Sequence, residues 1–133
     1  MPSRTVNLNP KTHVTSLNDT SPISLGGGGS NTVDFEVGLG FATDPTVSEL
    51  TLYQWDDNAP NHQGPHVGTW TRSPVGNTLP NLTVTTNEAN IQVSDTNVSN
   101  DEYDYCFTVT VQDSNGNHTT VDPELRVKKK TLG

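Results

Sequence analysis

Five alternate residues, Tyr103, Tyr105, Phe107, Val109 and Val111, form an unbroken apolar row, interleaved with Asp104, Cys106, Thr108 and Thr110. A period of two sets the two groups on opposite sides of an extended chain. Glu102–Gln112 is therefore read as a strand with one face on a core, because slipping it by one residue would put the whole row in water. A second such row, Val33, Phe35, Val37, Leu39 and Phe41, predicts a strand over Asn31–Phe41. Ser48–Trp55 alternates Leu50 and Leu52 with Thr51, Tyr53 and Trp55 and is apolar on both sides. That pattern fits a central strand whose outer face is also covered.

Turn formers divide the rest of the chain into short pieces, and no segment carries helical periodicity. Arg4–Asn9 and Ser21–Leu25 read as opening strands, and the run Gly26–Gly29 with Ser30 as a flexible turn. Asp56–Gly68 is the longest polar loop, followed by a short edge strand at Val67–Arg72. Leu79–Thr86 and Asn90–Ser94 follow, with Leu82, Val84, Ile91 and Val93 pointing inward. Asp113–Asn117 supplies a hairpin turn in which Asn115-Gly116 tolerates positive φ. His118–Lys128 closes the sheet, with a bulge or kink at Pro123 on an edge, since proline cannot donate to the ladder.

Only 29% of the residues are hydrophobic and the net charge is −8, a balance shared with disordered chains. The period-two clustering argues for a folded domain instead, because a sandwich buries only one face of each strand. The 133 residues suit one domain, with the core expected over residues 31–128 and residues 1–30 adding opening strands and the Gly-rich turn. All 15 acidic residues lie between Asp19 and Glu124, where Arg72 is the one base. Such a surface disfavours nucleic acid and anionic membranes and favours cations or basic partners. Cys106 is the single cysteine, so no intrachain disulfide forms. The absence of disulfides, of an apolar leader and of a membrane-length apolar stretch sets the expectation of a cytoplasmic protein.

About seven to nine short antiparallel strands at this spacing indicate an all-β sandwich. The string Asp101-Glu102-Tyr103-Asp104-Tyr105-Cys106-Phe107 sharpens it. It resembles the immunoglobulin-type motif in which a corner tyrosine follows an aspartate by four residues and precedes the second bridge cysteine by two. The resemblance implies an immunoglobulin-like Greek-key sandwich in which Tyr105 is the corner tyrosine, its hydroxyl bonding to nearby backbone. Phe107 then occupies the place of the buried cysteine, facing Phe35 or Val37, while Cys106 faces away from the core. Trp55 or Tyr53 would supply the core aromatic. Separately, Val121-Asp122-Pro123-Glu124 faintly resembles the signature of the uncharacterised bacterial DP-EP family, which implies no activity.

Candidate site residues are few. His62 and His66, with Asp56 and Asp57 upstream, have the donor types of a zinc or nickel site, but Pro60, Gly64 and Pro65 deny them helical spacing. Asp113-Ser114-Asn115-Gly116-Asn117 resembles the opening of a calcium loop, and Asp95, Asn97, Asp101, Glu102 and Asp104 would add oxygens if they lay nearby. Trp70 and Trp55 are the aromatics that, if exposed, would stack on sugar rings or anchor a protein. Cys106 has acidic neighbours that raise a thiol pKa, so it reads as inert. No nucleophile elbow, phosphate loop, dinucleotide fingerprint or paired catalytic carboxylates occur, so no catalytic residue or organic cofactor is expected. The four Asn-x-Ser/Thr sequons, at Asn18, Asn81, Asn97 and Asn117, are as many as chance supplies. The resulting expectation is a non-enzymatic interaction domain that binds a protein partner or a second copy. The alternative is a calcium-dependent carbohydrate-binding module on Asp95, Asp101, Asp104, Asp113 and Asn115.

Overall fold

The computed structural model describes residues 3–9, 11–12, 15–25, 32–41, 43–72, 79–95 and 102–129, with the backbone alone at 122–124. Among these residues ten strands form: β1 (Ser3–Leu8), β2 (Thr15–Leu17), β3 (Ile23–Ser24), β4 (Thr32–Val37), β5 (Thr46–Trp55), β6 (Gln63–Thr71), β7 (Leu82–Asn87), β8 (Asn90–Asp95), β9 (Tyr103–Gln112) and β10 (His118–Lys129). One sheet runs β2-β1-β4-β8-β7 and the other β3-β10-β9-β5-β6. In immunoglobulin lettering β4, β8 and β7 are B, E and D, while β10, β9, β5 and β6 are G, F, C and C′. The fold is therefore an immunoglobulin-like Greek-key β-sandwich. Two pairings depart from the antiparallel expectation: β1 runs parallel to β4, and β3 parallel to β10. The opening segment thus contributes to both sheets, with β1 and β2 in one and β3 in the other; β2 lies in the stretch expected to be a polar spacer.

The row that dominates the sequence sits where expected. Tyr103, Tyr105, Phe107, Val109 and Val111 are all buried, and Phe107 is 0% exposed. Its ring meets Phe35 of the opposite sheet edge-on, with centroids 5.9 Å apart at 86°. Val33, Ile91, Val93 and Leu82 fill the same layer from the first sheet. Tyr105 takes the corner position, but its hydroxyl accepts a hydrogen bond from the Asn81 side-chain amide (2.9 Å) rather than from nearby backbone.

Several expectations are corrected. The β4 row stops at Val37, and Leu39 is 83% exposed instead of facing the core. The cause is the neighbouring β1. Gly40 adopts φ +95°, and a Cβ there would come within 1.6 Å of the Leu8 carbonyl oxygen, so the chain turns away. Strand β6 begins at Gln63, earlier than expected, and absorbs much of the presumed polar loop. It is an edge strand, where Pro65 is tolerated. The register of β10 slips between Val121 and Leu125, which is the bulge expected around Pro123. There β10 is locally an edge, since β3 pairs only with Val127 and Lys128. The Gly26–Ser30 run, Asn97 and Asp101 lie outside the described residues. Among the described residues no helix is long and apolar enough to cross a membrane.

No disulfide is needed to join the sheets, because polar clamps do so at both ends. Lys129 Nζ of β10 lies 2.6 Å from Asp95 Oδ2 of β8, with the two side chains only 7% and 5% exposed. At the other end Arg72 Nε donates to the Val47 carbonyl (2.7 Å) and its Nη2 to the Asn90 carbonyl (3.2 Å). Each clamp spans from one sheet to the other.

Candidate functional site

The two outer faces differ in chemistry. On the β4-β8-β7 sheet the outward residues include Asp34, Glu36, Gln92, Ser94 and Thr85, and no aromatic side chain stands among them. On the other sheet, pairing aligns outward residues in rows across β10, β9, β5 and β6. The first row is Lys128, Asp104, Trp55 and Gln63, and the second is Arg126, Cys106, Tyr53 and His66. Beyond them Thr108, Thr51 and Thr69 align, then Thr120, Thr110, Glu49 and Thr71. The alternation of β5 that marked it as apolar on both sides thus builds an aromatic outer face. Trp55 and Tyr53 lie there and not in the core, which corrects their expected role as the core aromatic.

The upper rows are tightly organised. His62 of the Pro60–His62 turn lies flat on the Trp55 indole, with centroids 4.3 Å apart and 6° between planes. The Arg126 guanidinium carbon is 4.8 Å from the same ring. Both groups therefore pack on the one indole. Arg126 also grips Asp104 with both arms of its fork, Nε to Oδ1 at 2.8 Å and Nη2 to Oδ2 at 2.5 Å. The side-chain hydrogen bond that Arg126 donates to Asp104 raises the Arg126 pKa further, against a smaller opposing desolvation. Trp55 Nε1 donates to Asp57 Oδ1 (2.8 Å), which ties the start of the β5–β6 connection to the strand. The turn then covers Cys106, whose Sγ donates to the Asn61 carbonyl at 3.5 Å. Cys106 therefore faces away from the core, as read from the sequence, yet is 0% exposed because this turn closes over it. Lower on the face His66 packs edge-on to Tyr53 at 5.9 Å, and its Nε2 shares a 2.9 Å hydrogen bond with Thr69 Oγ1.

The other sequence candidates are dispersed. Trp70 is 4% exposed and pairs across from Leu50, so it is a core residue and not a stacking platform. Trp55 is only partly buried, and its ring already carries the His62 stack and the Arg126 guanidinium. His62 and His66 contact different rings and do not converge on a common point. The proposed calcium ligands separate likewise. Asp95 is engaged by Lys129 and Asp104 by Arg126. Asp113 and Asn115 sit at the far end of β9 from Asp104, roughly 30 Å away at ~3.3 Å per residue. The Asp113 carboxylate instead closes its own turn, accepting from the backbone of Asn115 (2.9 Å) and Asn117 (3.0 Å) and from Asn117 Nδ2 (3.1 Å). Desolvation pushes its pKa up, but these hydrogen bonds outweigh it and hold the carboxyl below the ordinary range. Among the described residues no three His, Cys, Asp or Glu side chains group to hold a metal ion. Asp101 falls outside the described residues.

Residue types and spacing point to the loop histidines and the turn acids, and carry no sign of the Asp104–Arg126–Trp55–His62 assembly. Its members are 71 positions or fewer apart yet scattered over three strands and a turn, and only the register of β9 with its neighbours brings them together.

Comparison with known proteins adds little to this picture. No family model matches the chain, and no curated protein matches it either. The DP-EP resemblance at Val121–Glu124 gains no support there. Among solved structures, murine CRIg is similar, with a TM-score of 0.42 and 11% identity over 85% of this chain and 92% of that one. The fold assignment rests on the strand connectivity itself.

Proposed function

We propose that this is a non-enzymatic interaction domain whose recognition surface is the outer face of the β10-β9-β5-β6 sheet. The observation that carries this reading is the asymmetry of the two outer faces. One is polar throughout. The other concentrates Trp55, Tyr53 and Arg126, the residue types that dominate binding energy at protein interfaces. These side chains are held rigid before any partner arrives, by the stack on Trp55 and by the bidentate Arg126–Asp104 pair, so little rotamer freedom remains to be lost on docking. Beyond them the outward rows are mostly threonine, with Thr51, Thr108 and Thr110 largely buried and Glu49 the charged member. A protein partner suits this better than a sugar, since Trp70 is buried and Trp55 is already engaged by His62 and Arg126.

Affinity enrichment from a native extract tests the reading. Wild-type, Tyr53→Ala/Arg126→Ala and Gln92→Ala/Thr85→Ala baits would be compared by quantitative mass spectrometry. The proposal expects a partner retained by the second pair of substitutions and lost with the first. Equal retention by both variants would place recognition elsewhere.

A further inference from the structure

The Asp113–Asn117 turn carries chemistry that the recognition face does not use. Asn115-Gly116 is the one Asn-Gly pair in the chain. An asparagine side chain can react with the peptide nitrogen that follows it, and glycine leaves that nitrogen least hindered because it has no Cβ. In a folded chain two further conditions apply. The carboxamide must be free to turn, and the next nitrogen must be able to approach it. The Asn7, Asn18 and Asn90 carboxamides are held, since each oxygen accepts a hydrogen bond from a backbone N–H. Those of Asn81 and Asn117 are held as donors, to the Tyr105 hydroxyl and the Asp113 carboxylate.

Asn115 meets both conditions. It is exposed, and it is tied to the turn through its backbone N–H, which donates to Asp113 Oδ1 at 2.9 Å. Among the described residues its carboxamide forms no hydrogen bond. Gly116 is exposed as well, at φ +86°, with no atom within 4 Å of the position a Cβ would take. Its N–H donates to the Asp113 carbonyl at 3.1 Å, and this is the bond that an attack must break.

We propose that Asn115 is a site of spontaneous backbone rearrangement. The Gly116 nitrogen attacks the side-chain carbonyl carbon of Asn115 and gives up its proton. A new C–N bond closes a five-membered imide, the bond to the side-chain nitrogen breaks, and ammonia leaves with that proton. Water then opens the imide at either carbonyl. Opening at the side-chain carbonyl gives aspartate. Opening at the main-chain carbonyl gives isoaspartate, in which the chain runs through the former side chain and is one methylene longer. Either product adds a negative charge beside Asp113. The isoaspartate link also falls inside the cage around the Asp113 carboxylate, between its donors at Asn115 (2.9 Å) and Asn117 (3.0 and 3.1 Å). The added methylene shifts these donors apart, so the turn that joins β9 to β10 loosens.

Peptide mass spectrometry of the folded protein, aged at neutral pH and physiological temperature, reads the result directly. Replacement of NH₂ by OH raises the mass, and backbone fragmentation separates isoaspartate from aspartate. Conversion is expected at Asn115 ahead of every other described asparagine. It should run about tenfold slower than in a free peptide spanning Gln112–His118, the retardation that breaking the Gly116–Asp113 hydrogen bond imposes. Asn115→Ser should abolish it. Asp113→Ala, which loosens the turn without altering the reacting atoms, should bring the rate up to that of the peptide. A folded chain that stays unconverted while the peptide reacts overturns the proposal. So does faster conversion at another described asparagine, or a rate that Asp113→Ala leaves unchanged.

Discussion

Phe107 packs between the two sheets, so its removal tests how the sandwich holds together. The ring is fully buried and meets Phe35 edge-on across the core. Truncating a buried Phe to Ala costs about 3–5 kcal/mol through lost transfer energy and the cavity left behind. Edge-to-face pairing adds ~0.5–1.5 kcal/mol beyond burial. Against a total of about 5–15 kcal/mol for a domain, Phe107→Ala removes a large share. The gentler variants Phe107→Leu and Phe35→Leu, with the double variant, complete a cycle that isolates the pair. Urea unfolding followed by circular dichroism is the assay, with midpoints shifting while the slope stays constant. Phe107→Ala should lose about 4 kcal/mol, and the cycle should give a coupling of about 1 kcal/mol. A loss under ~1 kcal/mol, or a coupling indistinguishable from zero, would mean that these rings do not form the inter-sheet contact.

Other expectations follow from the clamps and buried hydroxyls. Lys129→Met removes the buried ammonium that faces Asp95 and should cost about 3–5 kcal/mol, whereas Lys129→Met with Asp95→Leu should recover most of it; equal losses for both would contradict a buried pair. The Tyr103 hydroxyl is buried with no hydrogen-bond partner among the described residues, so Tyr103→Phe should raise the urea midpoint, with a gain on the order of 1 kcal/mol. Desolvation raises the pKa values of Tyr103 and Tyr105 above the ordinary 10.0. The unfolded chain loses these protons first, so stability should fall as pH rises past that value, and less steeply in Tyr103→Phe. Asp113 has the opposite sign: its lowered pKa contributes stability above the unfolded value of 3.8. The gap between wild type and Asp113→Asn should therefore be full at neutral pH and close as pH drops below 3.8 in acid melts.

Much of the fold is legible in the period-two rows. Phe107 facing Phe35, Cys106 turned outward, the Asp113–Asn117 hairpin and the bulge around Pro123 all follow from alternation and turn chemistry, which are local properties. What is not legible is non-local. Leu39 continues the alternation of β4 in sequence, but the approach of β1 at Gly38 and Gly40 ends the strand before it. Trp55 and Trp70 are indistinguishable by composition, yet β5 and β6 register sends one outward and the other into the core. The recognition face is hidden for the same reason. Arg126 looks like part of a basic tail until pairing with β9 sets it beside Cys106, within reach of Asp104 and Trp55. The calcium set failed because acids adjacent in a list of candidates lie at opposite ends of β9 or are already matched by lysine and arginine.

The central claim is that the β10-β9-β5-β6 face, and not the opposite one, is where this domain meets its partner. Amide and indole resonances recorded by ¹H–¹⁵N NMR while the protein is titrated with the partner recovered by affinity enrichment test it most directly. The account predicts shifts confined to Lys128, Arg126, Tyr53, Glu49 and the Trp55 indole, with Asp34, Gln92 and Thr85 unmoved. Shifts clustered on β4, β8 and β7, or spread evenly over both sheets, would contradict it.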